Sequence, residues 1–279
     1  MGTRAKAVPG DRTPVALLPG GIQPVAASYR ELLAALGDEV EPLLKDYELY
    51  AGEVPPPGWS LDTEVEGLRQ AAEGGGFGPF HLLGYSGGGA IALAFAVRYP
   101  ERVRSLALVE PAWVGNDGLS PEEVAYWEEL GRAVELPPAE LLREFTRANL
   151  PSGMAPPAQP QGPPPSWLAR RPAGLRLLVR AFINGRLDHE RLRRFPSPVF
   201  VAVGSLSRVV ERRKAERLAS ILPDCRVEVY EGTHHFAPPH REAPERLAGA
   251  LRGLWARAAA GWSTPPYTTP GPWSGAGTP

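Results

Sequence analysis

Phe80-His81-Leu82-Leu83-Gly84-Tyr85-Ser86-Gly87-Gly88-Gly89-Ala90 decides the reading of this 279-residue chain. An apolar run of strand length leads into a cluster of glycines around one serine, and small apolar residues follow at once. The run lacks polar alternation, as in a strand covered on both faces. Glycine at 84, 87 and 88 lets the backbone bend sharply and lets helix and strand approach closely. A serine held at such a turn points its hydroxyl outward. It also sits at a helix N-terminus, where free N–H groups and the helix dipole favour developing negative charge. The plain alternative is a glycine-rich turn of a doubly wound sheet with no chemistry. The strand before and the helix after are the context that a reactive serine requires.

Working outward, apolar runs and helical spacings alternate. Thr13 to Leu18 reads as the first strand and ends at Pro19-Gly20-Gly21. Val25 to Leu36 reads as a helix, with Tyr29, Leu32, Leu33 and Leu36 on one face. Val40 to Leu44 is a short strand. Ala51 to Ser60 holds three consecutive prolines, which cannot join a ladder, and reads as a surface loop. Leu61 to Ala72 is helical, with Ser60 as its N-cap. After the glycine turn come strands at Val103 to Val109, Pro198 to Gly204 and Arg226 to Tyr230. Helices are expected at Arg212 to Leu222 and about Ala243 to Ala258. Strands alternating with helices specify a mostly parallel, doubly wound α/β sheet with helices on both faces.

Between Trp113 and Pro196 the alternation stops. Pro121 to Glu135, Pro138 to Leu150 and Ala173 to Ile183 read as helices, and residues 151–166 hold seven prolines, which specify an irregular loop. The expected organisation is a core of residues 1–112 and 197–260, a helical cap of residues 113–196 inserted between two core strands, and a disordered Pro/Gly-rich tail from 261 to 279.

Composition narrows the function classes. A net charge of −1 gives no reason to expect nucleic acid or an anionic membrane surface as a partner. The single cysteine, Cys225, excludes an internal disulfide and a multi-cysteine zinc site. Residues 1–15 lack the apolar core of a signal peptide, and no apolar run approaches the length of a membrane span. A soluble cytoplasmic protein acting on a small molecule is expected, and oligomeric state is left open.

An acyl-transfer site needs a nucleophile, a base, a group orienting the base and an oxyanion hole. Ser86 is the candidate nucleophile. Of the five histidines, His81 lies inside a buried strand, His189 reads as a surface residue of the cap, and His240 opens the last helix as a packing or capping residue. His234 and His235 follow the last strand after Gly232, where a parallel sheet gathers its functional loops. His235 is the candidate base, with His234 as the fallback. The Gly87 N–H and one from the loop after the first strand would form the oxyanion hole, Gly21 first and Ile22 by a shift of one.

On Gly84-Tyr85-Ser86-Gly87-Gly88, Pro19-Gly20-Gly21 and Gly232-Thr233-His234-His235-Phe236, the chain resembles the cap-bearing serine hydrolases of the α/β-hydrolase fold superfamily. These are the esterase, C–C hydrolase and iminopeptidase-like members, and the resemblance covers about residues 13–258. It implies Ser86 as nucleophile, His235 as base and Gly21 and Gly87 as oxyanion donors, with no metal or other cofactor. One departure stands out. The family usually places its acid as Gly-x-x-Asp after the strand Val199–Val203, and here that stretch is Gly204-Ser205-Leu206-Ser207. A serine cannot supply the negative charge that steadies an imidazolium. The fold offers a second place for the acid, at the end of the strand before the cap, as in dehalogenase-like branches, and Glu110 stands there. The plain reading of Glu110 is a loop cap or an arginine partner.

The function these features imply is hydrolysis of a small carboxylic ester or related acyl bond through an acyl-enzyme. A serine in the nucleophile position speaks against dehalogenase and epoxide hydrolase chemistry, which need a carboxylate nucleophile. Tyr85, Trp113, Trp127, Phe145 and Phe182 are candidate walls of the substrate pocket, or cap core. Two alternatives stay open: a catalytically silent fold binding a small hydrophobic ligand, which the missing Asp at 207 motivates, and an acyltransferase.

Overall fold

Six strands form the centre of the molecule: β1 (Thr13–Leu18), β2 (Val40–Leu44), β3 (Phe80–Tyr85), β4 (Val103–Val109), β5 (Val199–Gly204) and β6 (Cys225–Tyr230). Their order is β2-β1-β3-β4-β5-β6, and every pair is parallel. The computed structural model describes residues 12–155 and 164–261. From β1 the chain winds outward to β2, then returns to β3 and winds the other way. The topological switch point therefore lies between β1 and β3, where open α/β sheets place their ligands.

Alternate residues of each strand feed two separate cores. Ala16, Leu18, Leu82, Val201 and Val203 face one cluster, while Val15, Leu17, Leu83, Phe200 and Ala202 face the other. Helices α1 (Val25–Ser28), α2 (Arg30–Leu36), α3 (Leu61–Gly74) and α4 (Gly87–Arg98) precede β4. Helices α5 (Pro121–Ala133), α6 (Pro138–Asn149), α7 (Arg171–Asn184) and α8 (His189–Leu192) fall between β4 and β5. Helices α9 (Val209–Ile221), α10 (Pro239–Glu242) and α11 (Pro244–Gly261) complete the chain. Helices α3, α4 and α9 cover the first face, and α2 and α11 the second. No helix among the described residues is long and apolar enough to cross a membrane.

Two local expectations change. The helix expected over residues 25–36 is broken at Tyr29, which is buried, donates its hydroxyl to the Leu18 carbonyl at 2.7 Å and leaves helical geometry (φ −110°, ψ 13°). Tertiary anchoring there overrides a continuous helical pattern. His189, expected at the surface, is half-buried and its Nε2 lies 2.9 Å from the Val114 carbonyl. Residues 156–163 of the proline-rich loop and the tail after 261 lie outside the described residues.

Candidate active site

Sharp backbone geometry marks the edge of the sheet. Ser86 has φ 52° and ψ −120°, a region that L-residues rarely adopt. It is held there from both sides: its N–H donates to Val109 O at 3.0 Å and its carbonyl accepts from the Ala112 N–H at 2.8 Å. A Cβ at Gly84 would collide with the carbonyl of Gly88, and one at Gly88 with those of Leu18 and Pro19. Only glycine lets β3, α4 and the loop after β1 meet so closely.

Three buried side chains line up across the carboxyl ends of β3, β4 and β6. Ser86 Oγ lies 3.0 Å from His235 Nε2, and His235 Nδ1 lies 2.9 Å from Glu110 Oε2. Glu110 is 0% exposed and, with Ser86, is the other non-glycine residue of positive φ (42°) among the described residues. Its second oxygen accepts from the Gly204 N–H at 2.7 Å and from the Ser207 hydroxyl. Burial pushes the Glu110 carboxyl up. The hydrogen bond and charge of His235, with the bonds from Ser207 and Gly204, outweigh burial and bring it below the usual carboxylate range. Position 207, where an acid was expected from the resemblance, thus carries a hydroxyl that serves the carboxylate of another strand.

The other histidines lie elsewhere. His81 is buried in β3 with Nδ1 2.7 Å from Ser105 Oγ, and burial pushes it down to about 3. His240 is buried between the rings of Tyr29 and Tyr85 and is likewise pushed down to about 3 by burial. His234, next to His235, has no hydrogen-bond partner at Nδ1 among the described residues.

The loop after β1 comes close to the serine. A Cβ on Gly87 would lie 3.8 Å from the Gly21 nitrogen, so the two N–H groups expected to form an oxyanion hole are neighbours. The Gly21 N–H has no protein acceptor among the described residues. Two tyrosines hold this loop: Tyr47 donates to Pro19 O at 2.7 Å and Tyr50 to Gly21 O at 2.8 Å. Both come from the segment after β2, which the buried Glu64 organises by accepting from the N–H groups of Glu48 and Leu49 and from Trp59 Nε1. Sequence reasoning missed this support. The closely spaced aromatics Tyr47 and Tyr50 were its only trace.

Over the serine opens a narrow apolar cleft with about 20 Å³ of free volume, room for about one water molecule. Gly21, Ser86 and Gly87 form its floor, and α5, α6 and α7 supply the walls, including Trp127, Phe145 and Phe182. Leu130, Leu175 and Asn149 join them, and none of the three was anticipated. Two expected wall residues lie outside the cleft. Trp113 is buried and stacks on Phe182 at 5.9 Å, supporting the wall from behind. Tyr85 faces the other side of the sheet, like Leu83 two residues before it, and donates its hydroxyl to the backbone carbonyl of His235.

A further acid stands beside the line of three. One donor atom each of Glu110, Glu211 and His235 lies within 4.8 Å of the others, a spacing compatible with a metal ion. The donors are already engaged: Lys214 Nζ is 2.8 Å from Glu211, and His235 Nδ1 is bonded to Glu110. A cation there would have to displace an ammonium.

Comparison with known proteins gives a consistent picture. The sequence pattern described as "Alpha/beta hydrolase family" matches residues 15–250. A monoacylglycerol lipase of Mycolicibacterium smegmatis is 30% identical over 162 residues, 56% of this chain and 55% of the lipase. The chain thus aligns with about half the length of this curated relative. A haloalkane dehalogenase of Mycobacterium bovis is 24% identical over 80% of this chain and 81% of its own. An esterase from Exiguobacterium antarcticum superposes with a TM-score of 0.70 at 19% identity, over 88% of this chain and 93% of that one, which shows a shared fold.

Proposed function

The chain belongs to the alpha/beta hydrolase family, and from that premise we propose that it is a serine hydrolase cleaving a small carboxylic ester through an acyl-enzyme. The observation that carries the reading is the continuous hydrogen-bond line Ser86 Oγ–His235 Nε2, His235 Nδ1–Glu110 at 3.0 and 2.9 Å. Nucleophile, base and orienting acid need this order and these distances.

Ser86 attacks the ester carbonyl while His235 Nε2 takes its proton. The carbonyl oxygen becomes an oxyanion and is met by the N–H groups of Gly21 and Gly87, reinforced by the N-terminus of α4. Glu110 keeps His235 in the right tautomer and offsets the charge of its imidazolium, so it fills the role left open at Ser207. His235 then returns the proton to the leaving alcohol. Water, deprotonated by the same imidazole, attacks the acyl-enzyme and restores Ser86.

The apolar walls suit the acyl part of a substrate, and residues 113–196 act as a cap that selects it. The likeness to a monoacylglycerol lipase supports ester chemistry. A serine at the nucleophile position supports ester over halide substrates.

A panel of p-nitrophenyl esters of increasing acyl length tests the reading. One equivalent of nitrophenol in a burst, with an acyl adduct on the peptide bearing Ser86, is expected. Equal hydrolysis by Ser86→Ala would refute it. A folded protein inert to the whole panel would favour the ligand-binding alternative.

A further inference from the structure

Glu211 and Lys214 lie one turn apart on α9 and form an ion pair, with Nζ 2.8 and 2.9 Å from the two carboxylate oxygens. Both side chains are only 3% exposed. Lys214 also donates to Ala112 O at 3.2 Å, two residues beyond Glu110, and lies 5.7 Å from the centre of the Tyr126 ring. Replacing such a buried pair by apolar side chains is often neutral or stabilising, so stability alone gives little reason for it. Its position is the informative feature, since a Glu211 oxygen lies within 4.8 Å of donor atoms on both Glu110 and His235.

We propose that Glu211 is a positioning residue of this site: a second carboxylate that favours the imidazolium form of His235 through space, kept ionised by Lys214. The proposal rests on the Ser86–His235–Glu110 reading. Its physical basis is short-range Coulomb attraction between buried groups. Burial works against the charge on Glu211 and pushes its carboxyl up, opposed by Lys214 and then His235, while Glu110 adds to the rise. Without Lys214, two carboxylates would compete for one imidazole, and one of them would take a proton.

The other groups around the pair come from every neighbouring element. Glu110 approaches from the end of β4. Tyr126 of α5 stands over Lys214, with Arg208 over the same ring. Tyr85 of β3 reaches the His235 carbonyl. His234, His240 and Arg241 act on the same region from the chain after β6, and burial holds His240 neutral. Among these, Glu110 and Glu211 are the two acids gathered with His235.

The test compares Glu211→Gln, Lys214→Arg and the neutral double variant Glu211→Gln/Lys214→Met with the wild type. One readout is the acid limb of fluorophosphonate labelling against pH. The other is the His235 imidazole titration followed by NMR on histidine-labelled protein. Glu211→Gln leaves the Lys214 cation unbalanced near the ring, so both midpoints are expected to fall by about one pH unit. Lys214→Arg should leave them in place, and the double variant should recover most of the fall. Coincident midpoints in wild type, Glu211→Gln and the double variant would overturn the proposal. If Lys214→Arg does not fold, the isosteric Glu211→Gln still decides. Labelling of Ser86→Ala at the wild-type rate would instead refute the underlying triad, and the NMR titration would still report on Glu211.

Discussion

The sheet edge and the helical segment above it are built on different physics. At the edge, backbone constraint and hydrogen bonds set each position. Ser86 and Glu110 sit at positive φ, and the Glu110 carboxylate takes bonds from His235, Gly204 and Ser207. Above it, Trp113, Trp127 and Phe182 pack ring on ring, and the cleft walls come from three helices. Directional bonds fix the reacting atoms to tenths of an ångström, whereas apolar packing tolerates exchange of side chains of similar size. On the proposed reading, chemistry and substrate choice therefore sit on separable parts of the chain.

Substitutions can break that separation or sharpen it. Glu110→Gln should have the largest effect, lowering kcat by about 10²- to 10⁴-fold with Tm little changed, because the amide keeps the volume and loses the charge. Steady-state kinetics beside a thermal melt checks both parts. Ser207→Ala removes one of three bonds to that carboxylate and should cost about tenfold in kcat, since a hydrogen bond to a charged group is worth about 1.5–3 kcal/mol and part of it is regained from water. Phe182→Ala should cost about 3 kcal/mol of stability in a denaturant titration. On the ester panel it should shift acyl-length preference by up to about tenfold while sparing kcat for the shortest ester. A large fall in kcat for every ester would show that the cap also positions the chemistry.

The sequence made the edge readable because its constraints are local. A glycine cluster after an apolar strand marks Ser86 and a glycine before a histidine pair marks the His235 loop, whereas Glu110 is singled out only through the resemblance, which offers a place for the acid after β4. Strand parity also carried a signal for Tyr85, which shares the side of Leu83 and not that of the cleft. The supports were not readable. Tyr47 reaches Pro19 and Tyr50 reaches Gly21 across 28 and 29 residues with no local pattern. Glu211 and Lys214 look like any exposed pair of helical charges until the fold buries them. The cleft walls depend on how three helices pack, and helical spacing states only that each has an apolar face.

A further effect, on stability alone, is set by pH. His81 and His240 are held neutral by burial, with their ionisation pushed from 6.5 down to about 3. The unfolded chain binds their protons first, so their stabilising contribution is complete above about pH 6.5 and is lost as pH falls towards 3. Tm should decline across that window, and less steeply in His240→Phe than in the wild type.

The most direct test of the account is the rate of fluorophosphonate labelling, located by peptide mass spectrometry, in wild type, Ser86→Ala and Glu110→Gln. Labelling on Ser86 that vanishes in the first variant and slows at least about a hundredfold in the second is the expected result. Labelling of Glu110→Gln at the wild-type rate, or none in folded wild-type protein, would contradict an activated serine supported by an acid from β4.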